Sequence, residues 1–254
     1  GTQSEREQFG LPCGGSLQLV LEPFNNITHV QALIDAIQER TTLYRSVCLQ
    51  SGEITLQPIE DNHEAHLSET HWSNIFGPVW QMLIVGAGET GRFLAEMSQA
   101  LAYKVLVSDP RPQYIKNWPL ANIPLLPGFP DDIIQNMNVD KRTVIVTVAH
   151  DPKVDDMALL QALHSDAFYV GALGSVNNNQ SRRERLVEHF GFTVPQVNRL
   201  HGPVGLPIGS KTPPEIALAI LAEVTALRNG RDIKAKLISQ KLVADQSPLP
   251  ESVL

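Results

Sequence analysis

The chain has 254 residues, and at roughly 150 residues per domain that predicts one large domain or a medium one beside a small one. Hydrophobic residues make up 43% and charged residues 19%, enough apolar material for a buried core and too much for global disorder. A formal net charge of -7 and a pI near 5.6 remove the electrostatic footprint that nonspecific nucleic-acid or anionic-membrane binding requires.

The chain opens on a polar lead-in, Gly1 to Arg6, with no basic-then-apolar leader. A cytoplasmic setting is therefore the default expectation, and Gly1 in place of an initiator Met reads as an expression remnant or a cut chain. Alternation of Leu17, Leu19 and Leu21 with Gln18, Val20 and Glu22 predicts a strand stopped by Pro23. Thr28 then caps a predicted helix whose apolar face is Val30, Leu33, Ile34 and Ile37. Runs from Leu43 to Gln50 and from Glu53 to Ile59 flank Ser51-Gly52 and predict a hairpin. Glu60 to Gly77 is polar without a clear period and reads as a linker or an irregular excursion. The charge-free stretch from Thr70 to Gly88 does not span a bilayer, because it contains His71, Ser73, Asn74, Gly77, Pro78 and Gln81.

Beyond residue 77 the pattern changes. Apolar runs at Gln81 to Val85, Val105 to Val107, Thr143 to Val148 and Phe168 to Ala172 alternate with helical patterns. Such alternation predicts βαβ units and a mostly parallel sheet covered on both faces. The last clear helix is Pro213 to Arg228, opened by the capping box Thr212-Pro213-Pro214-Glu215 and left at Gly230. The predicted organisation is a small α+β domain with linker over 1–77, a Rossmann-like doubly wound α/β domain over 78–230, and a tail over 231–254.

The strongest chemical signal is Gly86-Ala87-Gly88-Glu89-Thr90-Gly91, which follows a predicted strand, opens a helix and is followed by Asp109 at the end of the next strand. Gly86 permits the tight turn, Gly88 lets a pyrophosphate approach, and Gly91 brings helix and strand together. Free N–H groups at the helix start face the phosphates. Asp109 is placed to accept hydrogen bonds from ribose hydroxyls and favours NAD-like over NADP-like ligands, whereas Arg111 could reverse that balance. A glycine-rich packing turn without a ligand is the competing reading.

His150-Asp151 and Gly174-Ser175 each follow a predicted parallel strand, at the carboxyl edge where open α/β sheets bind ligands. His150 suits general acid–base work, against the plainer reading of a polar loop. Arg182, Arg183 and Arg185 could hold phosphates, although a solvated helix face is the commoner explanation of such a run. His63, His66 and His71 with Glu64 and Glu69 lack the framework of a rigid metal site, so no metal is assigned. Cys13 and Cys48 form no Cys-x-x-Cys pair, which excludes a disulfide scaffold or zinc ribbon. Cys13, between Pro12 and Gly14-Gly15, sits in a permissive loop suited to a reactive thiol, while Cys48 reads as an inert strand cysteine.

Several segments together carry a resemblance: Pro12-Cys13-Gly14-Gly15, the Gly86 turn, Asp109-Pro110-Arg111, His150-Asp151, Tyr169 to Ser175, Gly202 to Gly209, and Thr212 to Ala217. The sequence is similar to the xanthine dehydrogenase accessory protein family, XdhC/CoxI, in order over nearly its whole length. That resemblance implies a maturation factor for a molybdenum hydroxylase such as xanthine dehydrogenase. It further implies binding of molybdenum cofactor (molybdopterin or its dinucleotide form), sulfuration with a cysteine desulfurase, and delivery to the apo-enzyme. The role expected is that of a cofactor-binding chaperone rather than a catalyst, with a homodimer left open. Two other readings stand beside it: an NAD(P)-dependent Rossmann oxidoreductase using His150, and a nucleotide-binding regulatory protein. The family normally carries a further glycine-rich stretch before Cys-Gly-Gly, so the first domain is expected to be incomplete or divergent.

Overall fold

The computed structural model describes residues 20–22, 27–59, 65–235 and 237, and the positions of Cys13, His63, Glu64 and the predicted strand ahead of Val20 lie outside them. The chain divides into two compact units with the boundary between Pro78 and Val79.

In the first unit, α1 (Ile27–Gln38) precedes β1 (Leu43–Cys48) and β2 (Ile54–Pro58), which pair antiparallel as the hairpin pattern predicts. The described part of the segment expected to be a linker contributes two strands to the sheet. Within it β3 (His66–Leu67) pairs with β4 (His71–Phe76), and β4 pairs antiparallel with β1 along its full length, giving the order β2-β1-β4-β3. Polar Ser73 and Asn74 mask the strand period, yet Ser73 is buried and its hydroxyl donates to the His66 carbonyl. Leu33 and Ala36 of α1 bury against Leu43, Leu56 and Phe76. Buried Arg45 is paired with Glu22.

The second unit is a six-stranded parallel sheet built from β5 (Gln81–Val85), β6 (Lys104–Ser108), β7 (Leu125–Leu126), β8 (Thr143–Thr147), β9 (Tyr169–Ala172) and β10 (Leu200–His201). Its order, β10-β9-β8-β5-β6-β7, is the doubly wound Rossmann arrangement. The helices are α2 (Glu89–Ala100), α3 (Pro112–Lys116), α4 (Pro130–Asn136), α5 (Pro152–Ala162), α6 (Val176–Phe190), α7 (Val194–Asn198) and α8 (Pro213–Arg228). β5 and β8 are buried at every position, as central parallel strands covered on both faces must be. One face, with Ile84, Val107 and Val146, packs on Leu94 of α2 and Ile220 of α8. The opposite face, with Leu83, Val85 and Ile145, packs on Ile134 of α4, Leu159 of α5 and Leu186 of α6. At the start of α8 the Glu215 carboxylate accepts from the Lys211 and Thr212 N–H groups, each at 2.9 Å. The short β7 and β10 and helices α3, α4 and α7 carry too few residues for a hydrophobic period to announce them. Among the described residues no helix is long and apolar enough to cross a membrane.

Candidate functional site

The winding of the sheet reverses between β5 and β8, so their carboxyl ends splay apart into the crevice where this fold binds ligands. On the β5 side lies the Gly86 turn. Its three glycines have different reasons to be glycine. A Cβ on Gly86, whose φ is 118°, would lie 2.5 Å from the Ala149 nitrogen, and one on Gly91 would lie 1.9 Å from the Gly86 carbonyl oxygen. Both are dictated by backbone packing. A Cβ on Gly88 would meet nothing nearer than Tyr114 Cε1 at 3.9 Å, and the Gly88 φ of -78° is open to any residue. Packing therefore does not require glycine at 88. Gly88 is the N-cap of α2 and offers no side chain to its first-turn N–H groups, leaving them and the helix dipole for an anion.

Asp109 follows β6 beside this turn, and its carboxylate is engaged within the protein. It is 0% exposed, and its carboxylate takes four donors: Ala87 N–H at 2.8 Å, and Arg111 N–H, Nε and Nη2 at 3.1, 2.8 and 2.7 Å. Burial pushes the Asp109 carboxyl up, and the Arg111 and Ala87 hydrogen bonds outweigh it, holding the group below the usual carboxylate range. Arg111 is turned inward as well. Its Nη1 donates to the Ala149 carbonyl at 3.2 Å and its guanidinium lies 4.2 Å from the Tyr114 ring centre, so it is not extended toward a 2′-phosphate. A cavity of about 650 Å³ opens from Gly88 between α2 and α3, lined by Arg92, Gln113, Tyr114 and Leu120.

On the β8 side, His150 is exposed and adopts a φ of 56°, in the left-handed region. Asp151 caps α5, accepting from the Lys153 N–H at 3.0 Å, which gives it a structural task at the mouth. His150 and Gly174 line a single cavity of about 970 Å³ between α5 and α6, together with Lys153, Met157, Leu160, Arg182, Arg185 and Phe190. Ser175 caps α6 through its hydroxyl, which accepts from Asn178 N–H at 3.1 Å. The structure thus brings His150 and Gly174 to one cavity, whereas Gly88 lines another.

The basic run on α6 is engaged by partners within the protein. Arg182, 5% exposed, donates to Asp156 at 2.8 Å, to the Leu173 carbonyl at 3.1 Å and to Asn179 at 2.9 Å. Arg183 binds the carbonyls of Leu200 and Gly202 at 2.7 and 3.1 Å, and Arg185 pairs with Asp156 at 2.6 Å. Reading the sequence missed two buried acids nearby in the chain's second unit. Asp155 is 2% exposed and accepts from the Ala149 N–H at 3.1 Å, and burial pushes its carboxyl up to about 6. Glu223 on α8, also 2% exposed, accepts from Gly205 N–H at 2.6 Å, Tyr169 OH at 2.9 Å and His201 Nδ1 at 3.1 Å, which ties down the loop after β10. Each had a signal: Asp155 lies on the stripe with Ala158, Leu159 and Ala162, and Glu223 on the stripe with Ala219 and Ala226, where a carboxylate is destabilising unless paired.

His66 and His71 are exposed on β3 and β4, and among the described residues no group of three or more His, Cys, Asp or Glu is arranged to hold a metal. Cys48 is partly buried at the end of β1, and hydrogen bonds from Ser51 lower its thiol from the usual value.

The chain is 28% identical over 241 residues to a protein of Bacillus subtilis (strain 168) named as a probable xanthine dehydrogenase subunit, covering 80% of this chain and 70% of that protein. It is 22% identical to the "Molybdenum cofactor insertion chaperone PaoD" of Escherichia coli (strain K12), covering 86% of this chain and 61% of that one. A crystal structure described as a xanthine dehydrogenase from Bacillus halodurans shares the fold, with a TM-score of 0.62 at 21% identity over 83% of this chain and 66% of the other. The chain thus spans between three-fifths and seven-tenths of the length of these relatives. The family model of the XdhC Rossmann domain matches residues 82–224, from β5 through α8, and the chain belongs to the XdhC family.

Proposed function

We propose that this protein binds a molybdenum cofactor and delivers it to an apo molybdenum hydroxylase of the xanthine dehydrogenase type, accepting sulfur for it from a cysteine desulfurase. The observation that carries the reading is the open approach above Gly88, where packing leaves room at an uncapped helix start, in a chain one of whose relatives is named a molybdenum cofactor insertion chaperone. A pterin phosphate, or the pyrophosphate of a dinucleotide form, suits those N–H groups. Asp109 and Arg111 then serve the site by bracing it, Ala87 N–H being fixed by Asp109. His150 and Gly174 supply the second wall of the site at the α5–α6 cavity, with Asp151 and Ser175 fixing the helix starts beside them. Cys13 remains the candidate sulfur-handling thiol and lies outside the described residues. An NAD(P) oxidoreductase reading is less well supported, because the ribose acceptor it needs, Asp109, is already engaged by Arg111 and Ala87.

The test is to express the full chain in a molybdenum-replete host and measure molybdenum and pterin per chain, then activation of an apo molybdenum hydroxylase. Wild type is expected to carry cofactor and to activate. Gly88→Val is expected to fold normally and lose about tenfold or more in cofactor affinity, since the side chain fills the phosphate position. A folded Gly88→Val protein with full cofactor content overturns the cradle. NAD(P)-dependent turnover of an alcohol or hydroxy acid that disappears in His150→Ala overturns the whole reading.

A further inference from the structure

The two backbone groups of Ala149 are gripped from opposite sides. Its N–H donates to Asp155 Oδ1 at 3.1 Å, and its carbonyl accepts from Arg111 Nη1 at 3.2 Å. The next residue is His150, exposed and held at a φ of 56°. Arg40 and Ala102 share that conformation just after helices, whereas His150 adopts it just after a strand. Here the surroundings are braced in turn. Asp155 faces Arg182 Nη2 at 3.7 Å, and Arg111 is locked onto Asp109, which also accepts the Ala87 N–H of the glycine turn. One continuous chain of hydrogen bonds therefore joins the two sides of the crevice: Ala87, Asp109, Arg111, Ala149, Asp155.

The turn that carries His150 is thus fixed by a carboxylate at 2% exposure and by a partly buried arginine. We propose that Arg111 and Asp155 are positioning residues which, through Ala149, hold His150 at the mouth of the α5–α6 cavity as a group that contacts an anionic, ring-bearing ligand. Lys153 lines the same cavity and suits the anion, while Met157, Leu160 and Phe190 suit the faces of a ring. The ligand half of this statement rests on the crevice being the cofactor site; the positioning half does not.

The experiment therefore has two arms, both on the full chain. The first, without ligand, follows amide exchange at Ala149 and the His150 imidazole resonance by NMR. Asp155→Ala is expected to speed Ala149 exchange about tenfold or more and to move the His150 resonance. Asp155→Asn keeps an acceptor and restores both, and Asp156→Ala, whose carboxylate does not touch Ala149, changes neither by comparison. Arg111→Ala moves the His150 resonance, and Arg111→Lys does not restore it, because one ammonium cannot span Asp109 and the Ala149 carbonyl together. If Asp155→Ala does not fold, Arg111→Ala carries the same readout. The second arm measures pterin bound per chain after expression in a molybdenum-replete host: about a fivefold loss or more is expected in Asp155→Ala and Arg111→Ala, with recovery in Asp155→Asn.

An unmoved Ala149 amide and His150 resonance in Asp155→Ala overturn the positioning role, whatever the ligand. A loosened turn with wild-type pterin content overturns its link to the site. A wild-type chain devoid of pterin overturns the cofactor reading, and the NMR arm then still upholds or overturns the positioning role by itself.

Discussion

The two strand ends that meet at the crevice are shaped by opposite means. After β5 the chain turns because atoms are missing: Gly86 and Gly91 have no side chains, and the backbones close to distances that a Cβ would forbid. After β8 the chain turns because bonds are added: Ala149 is held by Asp155 and Arg111, and His150 is kept in a conformation that glycine would adopt with less strain. The first device is carried by local sequence. The second is assembled from β6, β8 and α5, which meet only in the folded sheet. What the contrast teaches is that a strand-end turn without glycine must be maintained by its neighbours, and those neighbours are then part of the site.

The largest effect that tests this contrast is expected from Gly91→Ala. A methyl group 1.9 Å from the Gly86 carbonyl oxygen cannot be accommodated without moving α2 off β5. A loss of about 5 kcal/mol is expected, at the top of the range for single substitutions, read as failure to fold or a collapsed melting temperature. An alanine at 91 that leaves the melting temperature unchanged removes packing as the reason for that glycine.

Next comes a pH effect on the β8 side. Asp155 is raised from 3.8 to about 6 in the folded chain, first by burial, with the Ala149 N–H and Arg182 opposing. The folded state therefore holds a proton that the unfolded state has released between those two values, so stability falls as pH rises from about 4 to about 6 and is level above. At 1.36 kcal/mol per unit the fall amounts to about 3 kcal/mol. Asp155→Asn has no proton to lose and is expected to lack this component, which denaturant unfolding at pH 4 and pH 7 in both proteins will show. Equal pH slopes in the two proteins remove Asp155 as its source.

The smallest expected change sharpens the contrast most. His150→Gly converts the maintained turn into a glycine turn, relieving the left-handed residue, and is expected to raise stability by about 1 kcal/mol while cofactor content falls. A variant that is both more stable and fully loaded with cofactor leaves His150 without a functional reason for its conformation.

Much of the Rossmann domain is legible in the sequence. β5, β6, β8 and β9 are apolar runs, α8 carries its own capping box, and the Gly86 turn stands between a strand and a helix. The strand β4 is not legible, because its Ser73 and Asn74 break the alternation and its place is decided by pairing with β1, a partner distant in sequence. Of the site, Gly86, Gly88, Gly91 and His150 stand out by their strand-end positions, whereas Asp109 and Arg111 stand out as residues while their partners do not. Charge complementarity within two residues draws Arg111 onto Asp109, and no pattern in a sequence reports which way a guanidinium turns.

By itself the sequence determined the parallel α/β architecture and the position of the glycine turn, since hydrophobic period and glycine spacing act over a few residues. Tertiary structure alone decided that Gly88 is the one of the three turn glycines that packing does not require, that the α6 arginines are engaged by Asp155, Asp156 and backbone carbonyls, and that His150 and Gly174 share a cavity. The physical reason is common to all three. Each depends on how closely backbones and buried charges approach across the sheet, and burial raises the cost of an unpaired charge far above anything local propensity contributes.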